Sequence, residues 1–193
     1  MFSSIHSRKA CALLERGGVI AYPTEGVYGI GCLPHYNPSV QRVINIKGRP
    51  SDAGLILIAA DISLLQEWIA PTAQERENLL KAVDYPTTWI VSAQPSARGL
   101  LTGERETIAV RITTHPVAAE LSWLTGSALV STSANRTGKR PTKTALTARL
   151  RLGKAVDYVI SGALGNWPGA SEIRIAANNQ VLRPRSPIHL RAI

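Results

Sequence analysis

The chain has 193 residues, of which 45% are apolar and 18% charged, and this composition excludes an intrinsically disordered protein. Its 22 Lys and Arg residues outnumber its 13 Asp and Glu residues, and the net charge of +9 favours a polyanionic partner such as nucleic acid. No apolar run approaches the ~18 residues that a membrane span needs, and the N-terminal segment lacks the apolar centre of a signal peptide. We therefore expect a cytoplasmic protein with no membrane partner.

Hydrophobic spacing alternates between helix-like and strand-like periods along the chain. The first helical pattern ends at Gly17-Gly18, which is a common helix stop. The predicted elements are, in chain order, a helix over 5–16, strands over 19–23 and 27–32, a helix from Asn37, a strand over 55–60, helical segments over 63–68 and 73–83, strands over 88–92 and 107–112, a helix over 116–124, a strand over 128–132, a helix over 143–152, and short strands over 157–160, 171–175 and 180–183.

Two features of this pattern set the expected architecture. Residues 55–60, LILIAA, are apolar at every position and therefore predict a central strand that is buried on both faces. Asn37 followed by Pro38 predicts a capped helix start, and Thr142 is the predicted cap of the helix over 143–152. The alternation predicts an α/β fold of three layers, with a sheet between helices, in a single domain over 1–193.

Several familiar ligand motifs are absent from the sequence. There is no GxxxxGK[ST] P-loop, and Gly26, Gly29 and Gly31 occur in the reverse order of the dinucleotide fingerprint. Cys11 and Cys32 have neither metal-ligand nor disulfide spacing, and the four histidines are scattered. We therefore predict no metal site and two buried, free cysteines.

The stretch KGRP, residues 47–50, places two cations directly before the predicted central strand. A solvated loop can carry such charges without any function, whereas a phosphate site requires them. Pro50 biases Arg49 toward extended backbone, so Lys47 and Arg49 should lie on the same side of an extended segment. Arg49 would then hold two phosphate oxygens with its planar guanidinium, and Lys47 would act as a point charge. Both side chains are expected to be exposed and to contribute little to stability.

A second polar stretch, STSAN, runs from Ser131 to Asn135 directly after a predicted buried strand. Small hydroxyl side chains at the carboxyl end of a strand offer donors to a ligand, and ligands of open α/β sheets bind at such strand ends. A turn that caps the next element is an equally good interpretation of the same residues.

These stretches together resemble the TsaC/YrdC (Sua-type) family. AYPTEGVYGIGC, IKGRPSDAGLIL, AVRI, LVSTSANRTG and SEIR occur in the order and rough spacing of that family, over nearly the whole chain from about residue 5 to residue 183. The resemblance implies a YrdC-like fold with a twisted mixed sheet, in the short single-domain form. It also implies an L-threonylcarbamoyladenylate synthase, which uses L-threonine, bicarbonate and ATP, releases pyrophosphate, and supplies N6-threonylcarbamoyladenosine at position 37 of tRNA.

The resemblance also assigns site residues. The ATP site corresponds to Lys47, Arg49, Thr107, Ser133, Asn135, Thr142 and Arg183. The threonine pocket corresponds to Thr24, Arg111, Ser131 and Ser171. Because an anionic carbamate must attack the polyanionic ATP, fixed cations should supply most of the catalysis, and Lys47 and Arg49 are the candidate catalytic residues. Arg111 suits the amino-acid carboxylate, since an arginine inside an apolar strand needs a partner. Mg²⁺ is expected with ATP, without an assigned protein ligand.

The sequence departs from the family pattern in one loop near the site. Relatives commonly carry WPGPVT where this chain has VDYPTT, residues 83–88. Pro86 and Thr88 are retained, whereas the tryptophan and the glycine are not. Rate or substrate preference is therefore expected to differ, and adenylation of a different carbamate is an alternative function.

A basic segment suggests a second partner. No acidic residue occurs between Glu120 and Asp157, where there are seven basic ones. Such a run is usually a solvated face, but its asymmetry favours a surface that binds tRNA or duplex RNA. The residues assigned to that surface are Arg136, Lys139, Arg140 and Lys143. An RNA-binding or ribosome-assembly factor without synthase activity is thus a further alternative, whereas a synthase would work with the other proteins of the threonylcarbamoyladenosine pathway.

Overall fold

The computed structural model describes residues 5–81 and 83–185. Within these ranges the α-helices are α1 (Ile5–Leu14), α2 (Asn37–Lys47), α3 (Ala73–Leu80), α4 (Pro116–Thr125) and α5 (Ala145–Leu152). The helical segment predicted over 63–68 is a short 3-10 helix, Ile62–Leu65. The strands are β1 (Ile20–Pro23), β2 (Tyr28–Gly31), β3 (Ile56–Ala59), β4 (Thr87–Ser92), β5 (Thr107–Ile112), β6 (Leu129–Ser133), β7 (Tyr158–Val159), β8 (Glu172–Ile175) and β9 (Val181–Arg183). Among the described helices, none is long and apolar enough to cross a membrane.

The strands form one mixed sheet in the order β7-β1-β2-β6-β3-β5-β4-β8-β9. β7 pairs with β1, β3 with β5, and β4 with β8 in parallel, and the other neighbours are antiparallel. β3 lies at the middle of the sheet, as the continuous apolar run LILIAA predicted. Connections between parallel strands need crossovers, and the helices supply part of them.

Helices cover both faces of this sheet. On one face, α1 and α4 pack against each other and bury Leu14 and Leu121 over Ile20 and Ile58. On the other face, α2, α3 and α5 contribute to a larger core. The strands contribute to it the residues next to those above, such as Leu57 beside Ile58 in β3. Successive residues of a strand point to opposite faces, so both cores use the same strands. The predicted three-layer α/β architecture is confirmed.

The structure corrects two predicted helix caps. α2 begins at Asn37, and Tyr36 is its cap residue without a side-chain hydrogen bond, so the prediction of Asn37 as the cap is wrong. α5 begins after Thr144, whose hydroxyl accepts from the backbone N of Thr147, so Thr142 is not its cap. Thr142 and Thr144 carry the same hydroxyl group, and spacing alone does not select between them. At α2 the helix starts one residue earlier than the Asn-Pro pattern predicted, so the cap position falls on Tyr36.

The KGRP segment has a different backbone from the one predicted. Lys47 is the last residue of α2, and Gly48 follows in the left-handed conformation with φ 57°, which glycine adopts without steric cost. The extended segment predicted for Lys47 and Arg49 is therefore wrong. A helix end and a left-handed turn, rather than strand geometry, bring these two cations to the same region.

Candidate active site

A cavity of about 490 Å³ opens where the β1–β2 turn, the α2–β3 connection, the end of β6 and the start of β8 meet. β6 pairs with β3 only as far as Ser131 and continues beside β2 to Ser133, so its last residues reach the cavity wall. The predicted site residues that line the cavity are Thr24, Lys47, Arg49, Arg111, Ser131, Ser133, Asn135, Ser171 and Arg183. Tertiary structure thus brings together residues from six separate segments of the chain.

Two predicted ATP residues do not line this cavity. Thr107 begins β5 and pairs with Ser92 of β4. Thr142 is buried, and its backbone carbonyl accepts a hydrogen bond from the backbone N of Tyr28 at 2.9 Å. Thr142 therefore fastens the loop after β6 to the sheet, behind the wall of the cavity.

Lys47 is buried, with 5% of its surface exposed, which corrects the expectation of an exposed cation. Its Nζ donates to the Ser133 carbonyl at 2.6 Å, to Ser133 Oγ at 3.1 Å and to Asn135 Oδ1 at 3.0 Å. Its own carbonyl accepts from the backbone N of Thr137 at 2.8 Å. Burial, assisted by the charge of Arg49, lowers the pKa of Lys47 to about 8. Lys47 therefore ties the end of α2 to the end of β6.

The Lys47 contacts leave Ser133 with a free donor. Ser133 Oγ accepts from Nζ, so its own O–H can point toward a ligand. Asn135 is more constrained, because its Nδ2 donates to the carbonyls of Arg136 at 2.9 Å and Lys139 at 2.5 Å. The STSAN segment is thus both a strand-end turn and a wall of the cavity, and the two interpretations of its sequence are compatible.

The cavity is strongly electropositive. Its charged lining residues are Lys47, Arg49, Arg111, Arg183 and one carboxylate, Glu25. Arg49 uses Nη2 to donate to the Ala53 carbonyl at 2.8 Å, which leaves most of its N–H groups for a ligand. Partial burial, followed by the charges of Arg111 and Arg49, lowers the pKa of Arg183. Four cations around one carboxylate suit a polyanionic ligand.

Sequence reasoning missed Glu25. Its Oε2 lies 3.2 Å from Arg111 Nη2, and both side chains are about nine-tenths buried. Oε1 accepts from the Thr113 hydroxyl at 2.5 Å. Burial favours the neutral acid, but Arg111 and Thr113 together outweigh it and lower the pKa of Glu25. The sequence held one usable signal, since a buried arginine needs an anionic partner and Glu25 directly follows Thr24 in YPTE.

The loop over 83–88, whose sequence VDYPTT departs from the family pattern, borders the cavity. Pro86 is one of its lining residues. The Thr88 and Ser171 hydroxyls are 2.8 Å apart, and the carbonyl of Ser171 accepts from Arg183 Nη2 at 2.8 Å. The Tyr85 hydroxyl accepts a hydrogen bond from Arg174 Nη2 at 2.8 Å. Tyr85 and Thr88 therefore hold this loop to the side of the site that β8 and β9 form.

Three of the four predicted RNA residues line a second cavity, of about 570 Å³. Arg136, Lys139 and Arg140 line it together with Arg151, and Asn135 lines both cavities. Lys143 does not line it, but all four predicted RNA residues are exposed. The basic segment thus forms a surface next to the site.

Metal ligands are not clustered in the part of the chain that the structure describes, where no group of three or more His, Cys, Asp or Glu side chains could hold an ion. Glu25 is the cavity's one carboxylate among the described residues, and its two oxygens face Thr113 and Arg111. The donor set therefore does not fit a protein-held cation. Cys11 and Cys32 are free and buried, as predicted.

Comparison with known proteins agrees with these features. The profile of the family described as "Telomere recombination" (Sua5, YciO and YrdC) matches residues 12–185. The threonylcarbamoyl-AMP synthase of Nitrosococcus oceani is 45% identical over 177 residues, which cover 91% of this chain and 96% of that protein.

Solved structures give the same result for the fold. P. abyssi Sua5 complexed with L-threonine is 28% identical with a TM-score of 0.81, and the match covers 88% of this chain but only 50% of Sua5. E. coli YciO is 26% identical with a TM-score of 0.77, and the match covers 93% of this chain and 88% of YciO. The sequence profile spans most of the chain, and the chain therefore belongs to the Sua5/YciO/YrdC family.

Proposed function

We propose that this chain is a threonylcarbamoyl-AMP synthase, which forms threonylcarbamoyl-AMP and pyrophosphate from L-threonine, bicarbonate and ATP. The observation that carries the proposal is the cavity in which four cations and strand-end hydroxyls surround a single carboxylate. Relatives of nearly the same length are named for this activity, and one solved relative is a complex with L-threonine.

The reaction has two steps with different demands. The neutral threonine amine first adds to the carbon of CO₂ and releases a proton, or adds to the carbon of bicarbonate and releases water; both routes give a carbamate. A carbamate oxygen then attacks the α-phosphorus of ATP, the bond from that phosphorus to the bridging oxygen breaks, and pyrophosphate leaves. Because an anion attacks a polyanion, pre-positioned cations lower the barrier more than any other group.

The lining residues divide between the two substrates. Arg49, Arg183 and the Ser133 hydroxyl are available to phosphate oxygens, while the Lys47 ammonium acts as a charge behind Ser133 because its three N–H groups already have acceptors. Arg111 is buried and lines the same cavity as Thr24 and Ser131, and its charge suits the threonine carboxylate. Mg²⁺ would arrive bound to the ATP phosphates, since the cavity offers it no free carboxylate.

Pyrophosphate release, measured with L-threonine and bicarbonate omitted in turn, tests this function. Release that requires both substrates supports the synthase. ATP turnover that is indifferent to threonine, or that requires another amine, would favour adenylation of a different carbamate. That second outcome is a specific alternative because the loop over 83–88, which differs from the family pattern, borders the site. A protein with no ATP turnover that still binds RNA would favour a binding factor.

We also propose that the exposed basic surface of Arg136, Lys139, Arg140 and Lys143 binds tRNA or duplex RNA. Three of them line the second cavity together with Arg151, and no acidic residue lines it, which supports a phosphate-contacting surface. Affinity should fall by roughly 0.9 log unit per log unit of salt for each duplex phosphate contacted. Replacing Lys139, Arg140 and Lys143 together by Ala should flatten that slope and spare pyrophosphate release, whereas salt-independent binding would contradict the proposal.

The product also defines the expected partners. Threonylcarbamoyl-AMP is a reactive mixed anhydride, so a transferase of the threonylcarbamoyladenosine pathway must move the threonylcarbamoyl group to the tRNA adenosine. Since tRNA, ATP and free threonine are used together in the cytoplasm, we place the protein there. Copurification with the other pathway proteins tests this association.

A further inference from the structure

Glu25 occupies a tight turn that lines the cavity. It lies between β1 and β2, where the Thr24 hydroxyl donates to the Val27 carbonyl at 2.7 Å and the Thr24 backbone N donates to the same oxygen at 3.1 Å. Only Glu25 and Gly26 lie between those two residues. So short a hairpin turn leaves the glutamate few alternative orientations.

A second segment presses on this turn from outside. The backbone N of Gly165 donates to the Thr24 carbonyl at 3.1 Å, and the backbone N of Trp167 donates to the Glu25 carbonyl at 3.1 Å. A Cβ on Gly26 would lie 2.0 Å from the Gly169 carbonyl oxygen, and a Cβ on Gly165 would lie 2.9 Å from Glu25 Cα. The two backbones therefore approach as closely as glycine allows, and the turn is fixed on both sides.

The side chain of Glu25 links two positions of β5 and its extension. Arg111 and Thr113 are two residues apart and so point to the same side of the strand, where Glu25 contacts Arg111 Nη2 with one oxygen and the Thr113 hydroxyl with the other. Thr113 is itself fixed, because its hydroxyl accepts from the backbone N of His115 at 3.3 Å. Neither Arg111 Nε nor Glu25 Oε2 has a hydrogen-bond partner among the described residues, so the ion pair at 3.2 Å between Glu25 Oε2 and Arg111 Nη2 is the restraint that Glu25 places on that guanidinium.

We propose that Glu25 is a positioning residue, which orients Arg111 for the carboxylate of the amino-acid substrate; this inference rests on the proposed function. Arg111 lines the cavity with the exposed tenth of its side chain. An arginine binds a carboxylate best when its planar N–H fork is held in advance. Glu25 supplies that restraint from the rigid turn.

The surroundings of Glu25 argue against a role as the base that takes the proton of the threonine ammonium. Arg111 and Thr113 lower its pKa below the ordinary 4.5, which makes the carboxylate a weak base for an amine. If Glu25 instead acted only through its charge, its carboxylate would repel the substrate carboxylate. Removing that charge would then tighten threonine binding, whereas loss of positioning would weaken it.

Steady-state pyrophosphate release with Glu25→Gln and Glu25→Asp separates these roles. Gln keeps the shape and removes the charge, and Asp keeps the charge and shortens the reach. Positioning predicts that both variants raise the KM for threonine by about tenfold or more, with the KM for ATP changed less than threefold. A lower threonine KM in Glu25→Gln, or a parental value in Glu25→Asp, would overturn the proposal.

Thr113→Val and Glu77→Gln complete the design. Thr113→Val removes only the hydroxyl that holds Glu25, so it should raise the threonine KM by a smaller factor of about three even if the Glu25 variants fold poorly. Glu77 is exposed on α3, and Glu77→Gln should behave as the parent. If the parent itself shows no threonine-dependent release, the proposed function fails. An active parent with unchanged threonine KM in all Glu25 and Thr113 variants refutes the positioning role alone.

Discussion

Replacing Lys47 by methionine tests whether this lysine is part of the framework as well as of the active site. Methionine has a similar length and is apolar, so it fills the buried space without donating a hydrogen bond. The Ser133 carbonyl, Ser133 Oγ and Asn135 Oδ1 would each lose their Nζ donor. Because Lys47 is only 5% exposed, water cannot readily replace those bonds.

The expected loss in the free energy of unfolding follows from two opposing contributions. Each hydrogen bond from a charged donor contributes about 1.5–3 kcal/mol. Against them, burial disfavours the charged ammonium, as the lowering of the pKa of Lys47 from 10.5 to about 8 indicates, so the three bonds do not contribute in full. The three bonds outweigh the cost of burial, so Lys47→Met should lower the free energy of unfolding by about 2–4 kcal/mol. The corresponding fall in Tm is about 5–15 °C.

Thermal and urea unfolding followed by tryptophan fluorescence measure this effect. Lys154→Met is the matched control, since Lys154 is exposed and its replacement should change stability by less than about 0.5 kcal/mol. Pyrophosphate release by Lys47→Met should fall by at least ~10²-fold. A Lys47→Met protein that is inactive but melts like the parent would show that the lysine serves the ligand alone and that the three hydrogen bonds add nothing to stability.

Three further outcomes are expected. Arg111→Ala should raise the KM for threonine more than that for ATP, and Asn135→Ala should do the reverse; equal effects in steady-state kinetics would contradict the division of the cavity. Since Lys47 loses its proton as pH rises through about 8, kcat/KM for ATP should decline above that pH, and a Lys47→Arg variant that keeps the same alkaline decline would exclude this cause. The pKa of Glu25 is below its ordinary 4.5 in the folded protein, so the stability it adds is fully present above pH 4.5 and is lost as pH falls through the folded-state pKa. The free energy of unfolding of Glu25→Gln should therefore fall less steeply with acid than that of the parent. An unchanged dependence on acid pH would count against the ion pair.

Arg111→Ala and Asn135→Ala also differ in their expected effects on stability, because the two side chains are held by different contacts. Arg111 is restrained by Glu25, whereas Asn135 is restrained by Lys47 and by two backbone carbonyls of its own loop. Asn135→Ala should thus also lower the Tm, because the amide fixes the turn that follows β6. Arg111→Ala leaves the Glu25 carboxylate buried without its cation, and its cost should grow with pH above 4.5.

Local sequence was sufficient for most of the elements and for four of the five charged residues that line the cavity. Apolar periodicity predicted the central strand over Ile56–Ala59 because side-chain burial repeats with the period of the backbone. The helix caps were less predictable, since Thr142 and Thr144 offer the same hydroxyl and only the local hydrogen bonds select Thr144. The KGRP and STSAN motifs named residues that do meet at one cavity.

What the sequence by itself determined is therefore which residues are chemically suited to a polyanion site and in which elements they lie. Only the tertiary structure decided that Lys47 is buried and engaged by Ser133, which is 86 residues away in the chain, and that Glu25 is the partner of Arg111. The physical reason is that charge and periodicity are local properties, whereas burial and pairing depend on which distant strand ends the fold brings within hydrogen-bonding distance.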